Sequence, residues 1–229
     1  MFRKDSFFLA GWIYFLLMFP LSILLPEWVS DENGIIENLQ LLWLVAGFYH
    51  CYKMQRTPLV IKALPNKLNF LWLSGMIYFF LLFMREISWG RTFFTMPDGS
   101  MIQYSQMGLY GKLVHPLVAV LAMIAVIMLY KVKIWKLLAE IKLPTKSFLL
   151  FLLFIFFSWL AERRNFVYFH GQNAEELAEF GAYMMMYVLT INLTKKLTAG
   201  TANCNRQKSC KEASKCSSLM KSYDYSEAK

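Results

Sequence analysis

The segment LVHPLVAVLAMIAVIMLY, residues Leu113–Tyr130, contains no charged side chain in 18 positions. Coiled as an α-helix at 1.5 Å per residue it is about 27 Å long, close to the ~30 Å hydrocarbon thickness of a bilayer. Such a run has no polar face to offer water, so the chain is read as a membrane protein from here outward. Two further clean runs lie upstream, at Ser6–Pro26 and Leu68–Met84. Ile35–Tyr52 is apolar but carries Glu37, Asn38, Gln40 and His50, and Glu175–Leu193 carries Glu179. Ser147–Ala161 has only 15 uncharged residues, so Glu162 or Arg163 must reach the interface for it to cross.

These six runs predict an all-α chain: a bundle of six transmembrane helices over residues 1–197 and a basic, unstructured tail over 198–229. Composition agrees, since 57% of the 229 residues are hydrophobic and only 17% charged, against about 25% charged in soluble domains. The net charge of +9 would suit a nucleic-acid partner if it coated a solvated surface. With 20 Phe, 14 Met and 7 Trp in the same chain it does not, and no nucleic acid is expected.

The position of the charges is more informative than their sum. With both termini placed in the cytoplasm, 19 of the 24 Lys and Arg fall on the inner side and only Arg85, Arg91, Lys112, Arg163 and Arg164 on the outer. Carboxylates divide the other way, five inside and ten outside, so the inner side carries +14 and the outer −5. Short loops rich in Lys and Arg remain cytoplasmic during insertion. An even number of spans with both ends cytoplasmic follows. Arg3 and Lys4 ahead of the first apolar run also suit a signal peptide, but Pro20, Pro26, Glu27 and Trp28 stand where a small-residue cleavage site would be. The first helix is therefore expected to be retained.

Outer-side polar residues recur at each turn of the chain. The first outer loop ends in Asp31-Glu32-Asn33-Gly34 and leads to Glu37 and Gln40, three residues apart on one helix face. The third span leaves through Arg85 and Glu86 toward Arg91, the fourth begins near Lys112 and His115, the fifth leaves through Glu162 and Arg163, and the sixth begins at Glu175, Glu176 and Glu179. A charge near the bilayer interior costs on the order of 3 kcal/mol, so such groups pair with one another or line a wet cavity. One reading is a set of interfacial anchors and ion pairs. The other is a polar cleft in which Glu37, Glu86 and Glu179 do acid-base work while Arg85, Arg91, Gln40, His115, Glu162, Arg163 and Glu175 hold a substrate.

Other residues carry weaker signals than that cleft. His115 and His170 lie outside and His50 inside, and no HExxH spacing is present, so no metal is expected. Ser88 beside His115 has no GxSxG context and suits a helix end equally well. Thr92–Gly111, with a Pro97-Asp98-Gly99 turn, can cover the cleft as a lid or lie on the membrane surface. Cys204, Cys210 and Cys216 recur every six residues in the basic tail and match no zinc spacing. No cofactor motif stands out.

The acidic approach to the second helix, Asp31 through Glu37, and the exit Arg85-Glu86-Ile87-Ser88-Trp89-Gly90-Arg91 resemble a family of uncharacterised bacterial polytopic inner-membrane proteins. Its members tend to carry an acidic pair before Ile-Ser-Trp-Gly and a basic residue. Arg85 stands here where a second carboxylate would be, which weakens a two-carboxylate mechanism at that point. The resemblance implies a multi-pass protein of the bacterial inner membrane and no particular reaction. Three functions are compatible: binding or processing a lipid headgroup or lipid-linked substrate, with membrane lipid as partner; a small-solute or ion permease using embedded Glu; or a non-enzymatic subunit docking a membrane-protein partner. The permease lacks polar residues through the middle of spans three to five.

Overall fold

A computed structural model describes residues 6–30, 34–57, 67–94, 102–141, 145–163 and 171–209. Among the described residues the chain is all helical. The α-helices are α1 (Ser6–Leu24), α2 (Ile35–Arg56), α3 (Lys67–Glu86), α4 (Gly108–Lys131), α5 (Ile134–Ile141), α6 (Thr145–Glu162) and α7 (Gly171–Ser209). Three segments, Leu68–Glu86, Gly108–Lys131 and Thr145–Glu162, are long and apolar enough to cross a membrane, and Phe8–Leu24 is apolar but shorter.

The six long helices alternate in direction. Gly11 lies against Met185, while the Tyr14 hydroxyl donates to Leu177 O, so α1 runs antiparallel to α7. The same opposition holds for α6 and α7, where Ser158 meets Glu179, and for α3 and α4, where Trp89 O accepts from Tyr110 and Phe70 meets Lys131. Gln40 and His50 of α2 bond to Glu176 and Thr194 in the same order, making α2 parallel to α7. The C-terminal ends of α1, α3 and α6 therefore gather with the N-terminal ends of α2, α4 and α7. That is the end where the outer-side charges were expected.

α7 is the axis of the bundle, packing on α1, α2 and α6. One core joins Leu44, Trp72 and Phe79 to Tyr183 and Met186; another joins Phe15, Leu150 and Phe154 to Ala178 and Met185. Close approach depends on missing side chains. A Cβ on Gly181 would come within 2.4 Å of the Phe154 ring, and one on Gly47 within 2.1 Å of the Phe79 ring. Small residues at such crossings bring helix backbones together where hydrophobic burial alone gives little direction. In contrast, α4 leaves Leu117, Val120, Met123, Val126 and Ile127 uncovered.

Prolines account for how α1 ends. Pro26 has no N–H to give Ser22 O four residues earlier, so that carbonyl needs another donor. Asn173 Nδ2 supplies it at 3.2 Å, also bonds Leu25 O at 2.8 Å, and the Asn173 carboxamide oxygen accepts from the Ser30 hydroxyl. Gln172 Nε2 holds Ser30 O at 2.9 Å. The first turn of α7 thus clamps the α1–α2 connection beside the polar cluster.

Two elements differ from the expectation. Residues 131–146 hold α5, eight residues long with Leu137 buried and Trp135 82% exposed, entered through Lys133 at φ 53°. A search for runs of about 17 apolar residues does not register so short an amphipathic helix. α7 also extends beyond Leu193 to Ser209, past Thr198, where the composition changes. Residues 210–229, with Cys210 and Cys216, lie outside the described residues.

Candidate functional site

At the gathered end, α2, α3, α6 and α7 bring a hydrogen-bonded set of polar side chains together between apolar walls. Arg85, in the last turn of α3, donates through Nη2 to Glu179 Oε1 at 2.6 Å and through Nη1 to the Tyr183 hydroxyl at 3.4 Å. That hydroxyl donates to Glu86 Oε1 at 2.6 Å. Ser158 of α6 donates to the same Glu179 oxygen at 3.3 Å. On the α2 side, Gln40 Nε2 bonds both Glu176 Oε2 at 2.8 Å and Glu176 O at 3.0 Å.

Helix periodicity explains the convergence. Glu176, Glu179 and Tyr183 are spaced i, i+3, i+7 and share one face of α7. Glu37 and Gln40 share a face of α2 that meets it. Glu37, Glu86, Glu176 and Glu179 are close enough for their charges to act on one another, as are Glu175, Glu162 and Arg85. Arg85 is bonded into this network, and its side chain is 56% exposed against 11% for Glu179.

Glu86 and Glu176 are each held by a neutral donor, Tyr183 and Gln40 respectively. Gln40 is wholly buried, and its Oε1 accepts no hydrogen bond.

A cavity of about 180 Å³ opens beside this network. Its walls are Tyr78, Leu82 and Arg85 of α3, Phe151, Ile155 and Ser158 of α6, and Glu179, Ala182, Tyr183 and Met186 of α7. Each helix contributes seven or eight residues of length, so the crevice runs for about 10 Å along the helix axes. Arg85, Ser158 and Glu179 form its polar end; below them the walls are apolar apart from the Tyr78 and Tyr183 hydroxyls. α3 and α6 barely touch each other, which leaves the crevice backed by α7 and open sideways between them. Tyr78 and Ile155 flank that opening, 48% and 44% exposed.

Other candidates from the sequence lie elsewhere. Arg91 bonds Ile102 O through Nε at 2.9 Å, and its guanidinium lies 4.8 Å from the Tyr104 ring centre. The His115 ring packs against the same ring in a T-shaped contact, at 5.3 Å between centroids. Both serve the loop between α3 and α4, where the Tyr104 and Tyr110 hydroxyls hold Ser88 O and Trp89 O. That loop contacts α3 and α4, and residues 95–101 lie outside the described set. Ser88, Trp89 and Gly90 in succession have φ of 46°, 54° and 82°, a left-handed run that costs about 1–2 kcal/mol for each residue other than glycine. Arg163 covers Trp159 at 4.7 Å, and Glu162 is exposed at the rim. Arg164 and His170 lie outside the described residues.

Tyr183 and Ser158 belong to the site although the sequence reading named neither, and Glu176, noted at the start of the sixth span, was not placed among the cleft residues. Glu176 could have been found from its register with Glu179. Tyr183 and Ser158 sit in apolar runs and carry no charge to draw notice. Among the described residues, no three His, Cys, Asp or Glu side chains are grouped to hold a metal ion. No protein-family model, curated protein or solved structure matches the chain.

Proposed function

We propose that the protein is a multi-pass protein of the bacterial inner membrane, with six spans and both termini cytoplasmic, that binds the headgroup of a lipid or lipid-linked substrate in the α3–α6 crevice. The observation that carries this reading is the crevice itself. It is polar at one depth, apolar for about 10 Å below, and open toward the side rather than along the bundle axis. An amphiphile entering from the bilayer meets those features in the same order, with its chains against Ile155 and Leu82 and its headgroup at Arg85 and Glu179.

The placement of aromatic and basic residues supports the spanning arrangement. Tyr110 and Tyr130 on α4 stand 20 residues apart, or about 30 Å. Exposed Tyr49, Tyr52, Tyr130 and Trp135 accompany Lys53, Arg56, Lys131 and Lys136 at the end opposite the crevice. This basic end is assigned to the cytoplasm and the crevice to the outer leaflet. Any processing of the bound molecule would draw on Glu86 and Glu179, the carboxylates joined through Tyr183 and Arg85.

The test is lipid retention. Full-length protein purified in mild detergent is expected to carry lipid detectable by mass spectrometry. Ile155→Trp fills the crevice without touching the polar network and is expected to strip that lipid. Retention equal to that of the unaltered chain would reject the crevice as the binding site.

A further inference from the structure

At the end of the bundle opposite the crevice, Tyr49, Tyr52, Lys53 and Arg56 are spaced i, i+3, i+4, i+7 and share one exposed face of α2. With Thr57 they line a cleft of about 410 Å³. Arg56 lies over the Tyr52 ring, 5.4 Å from its centre, which holds the guanidinium at the cleft. Thr57 Oγ1 donates to Lys53 O at 2.7 Å and closes the helix end without using either charged head. The next residues, 58–67, add Lys62 and Lys67 and no carboxylate.

The same face of α2 continues toward the middle of the helix as Val45 and Leu42, both exposed. From Leu42 to Tyr52 is about 15 Å, half of the ~30 Å hydrocarbon thickness of a bilayer. An apolar stripe one leaflet deep therefore ends in two aromatic rings and then two cations. A phospholipid presents its chains, its interfacial region and its phosphate in that order.

We propose that this cleft binds an anionic phospholipid of the cytoplasmic leaflet, with the phosphate between Lys53 and Arg56 and one acyl chain along Val45 and Leu42. The site is separate from the α3–α6 crevice; it rests on the spanning arrangement proposed above and not on the crevice's ligand. Its charge favours a headgroup of net negative charge. The phosphate of phosphatidylglycerol meets both cations, whereas the ammonium of phosphatidylethanolamine is repelled by them. The cleft, at about 410 Å³, holds roughly fourteen water volumes of ~30 Å³, enough for a phosphate and its glycerol. Leu42 and Val45 favour the lipid over a phosphate ester free in water, which has no chain to lay on them.

Native mass spectrometry of the full chain in detergent, titrated with dioleoyl phosphatidylglycerol or dioleoyl phosphatidylethanolamine, tests this directly. Phosphatidylglycerol is expected to bind about 10-fold more tightly, since each Lys or Arg at an anionic headgroup contributes up to about five-fold. The double variant Lys53→Gln, Arg56→Gln is expected to reduce that preference to roughly 2-fold or less. Both side chains are exposed, so the variant is expected to melt with the unaltered chain. Two controls locate the effect. Lys131→Gln, Lys136→Gln removes two exposed charges carried at the same end by α4 and α5, and Ile155→Trp fills the crevice; each is expected to keep the preference.

Equal binding of the two lipids, or a preference that survives Lys53→Gln, Arg56→Gln, would overturn the site. Loss of the preference in Lys131→Gln, Lys136→Gln would assign it to diffuse positive charge, and loss in Ile155→Trp would assign it to the crevice; either result would overturn the cleft. Soluble glycerol 3-phosphate at the same concentration is expected not to displace bound lipid; displacement would identify a water-soluble ligand and overturn the phospholipid.

Discussion

The Arg85–Glu179 pair is asymmetric, and the asymmetry gives an ordering that can be measured. Breaking a buried ion pair by removing one partner costs about 3–5 kcal/mol because the other charge is left uncompensated. Here the partners are unequally placed, with the Arg85 side chain 56% exposed and that of Glu179 11% exposed. Arg85→Met leaves a carboxylate in a nearly closed position with the Ser158 hydroxyl as its remaining donor. Discounting for the half-exposed guanidinium, about 2–4 kcal/mol is lost.

Glu179→Gln leaves an arginine that can extend toward water on its aliphatic stem, and costs under about 1 kcal/mol. At roughly 2–4 °C per kcal/mol for a chain of this size, the apparent Tm falls by about 4–16 °C for Arg85→Met and by less than about 4 °C for Glu179→Gln. The double variant Arg85→Met, Glu179→Gln has no unpaired charge at the pair and is expected to be more stable than Arg85→Met alone. Intrinsic tryptophan scanning fluorimetry in detergent, at matched lipid content, measures all four proteins. A larger loss for Glu179→Gln, or a double variant no better than Arg85→Met, would refute the burial argument.

Three other outcomes follow from particular contacts. Gly47→Ala drives a Cβ to 2.1 Å from the Phe79 ring and is expected to cost about 1–3 kcal/mol by overpacking; Phe79→Leu in the same chain should recover part of the melting temperature. Gly90→Ala places a side chain at φ 82° and is expected to lower stability by about 1–2 kcal/mol, read by the same thermal scan. In a cysteine-free background, an impermeant maleimide applied to intact cells is expected to label Gln106→Cys and to leave Lys136→Cys unlabelled until the cells are opened. Labelling in the reverse order would invert the proposed topology.

Much of the fold was legible because apolar runs, charges and helix ends are local properties. The six runs expected at Ser6–Pro26, Ile35–Tyr52, Leu68–Met84, Leu113–Tyr130, Ser147–Ala161 and Glu175–Leu193 each fall on a long helix; the first helix stops two residues short of its run and the other five extend past theirs, the last by the most. The ends were less legible. Glu175 begins the sixth run, yet Gly171 begins the helix, since Gln172 and Asn173 are spent on the carbonyls of the α1–α2 connection. α5 escaped notice because eight amphipathic residues inside a basic loop do not register as a span.

The candidate site was legible only as an inventory of charged residues at one end. Glu37, Gln40, Arg85, Glu86, Glu175 and Glu179 gather there, with Glu162 at the rim, while Arg91, His115 and Arg163 turn to Tyr104 and Trp159. Sequence by itself located the six long helices, three of which are long and apolar enough to cross a membrane, and the end of each at which charges lie, because a helix satisfies its own backbone within about 20 residues. The tertiary structure decided which charges meet. On helices apolar on every face, periodicity does not define a preferred rotation. It was packing around Gly181 and Gly47, across separations of nearly 100 residues such as Arg85 to Glu179, that turned α3 and α7 so that Tyr183 joins Glu86 to Arg85.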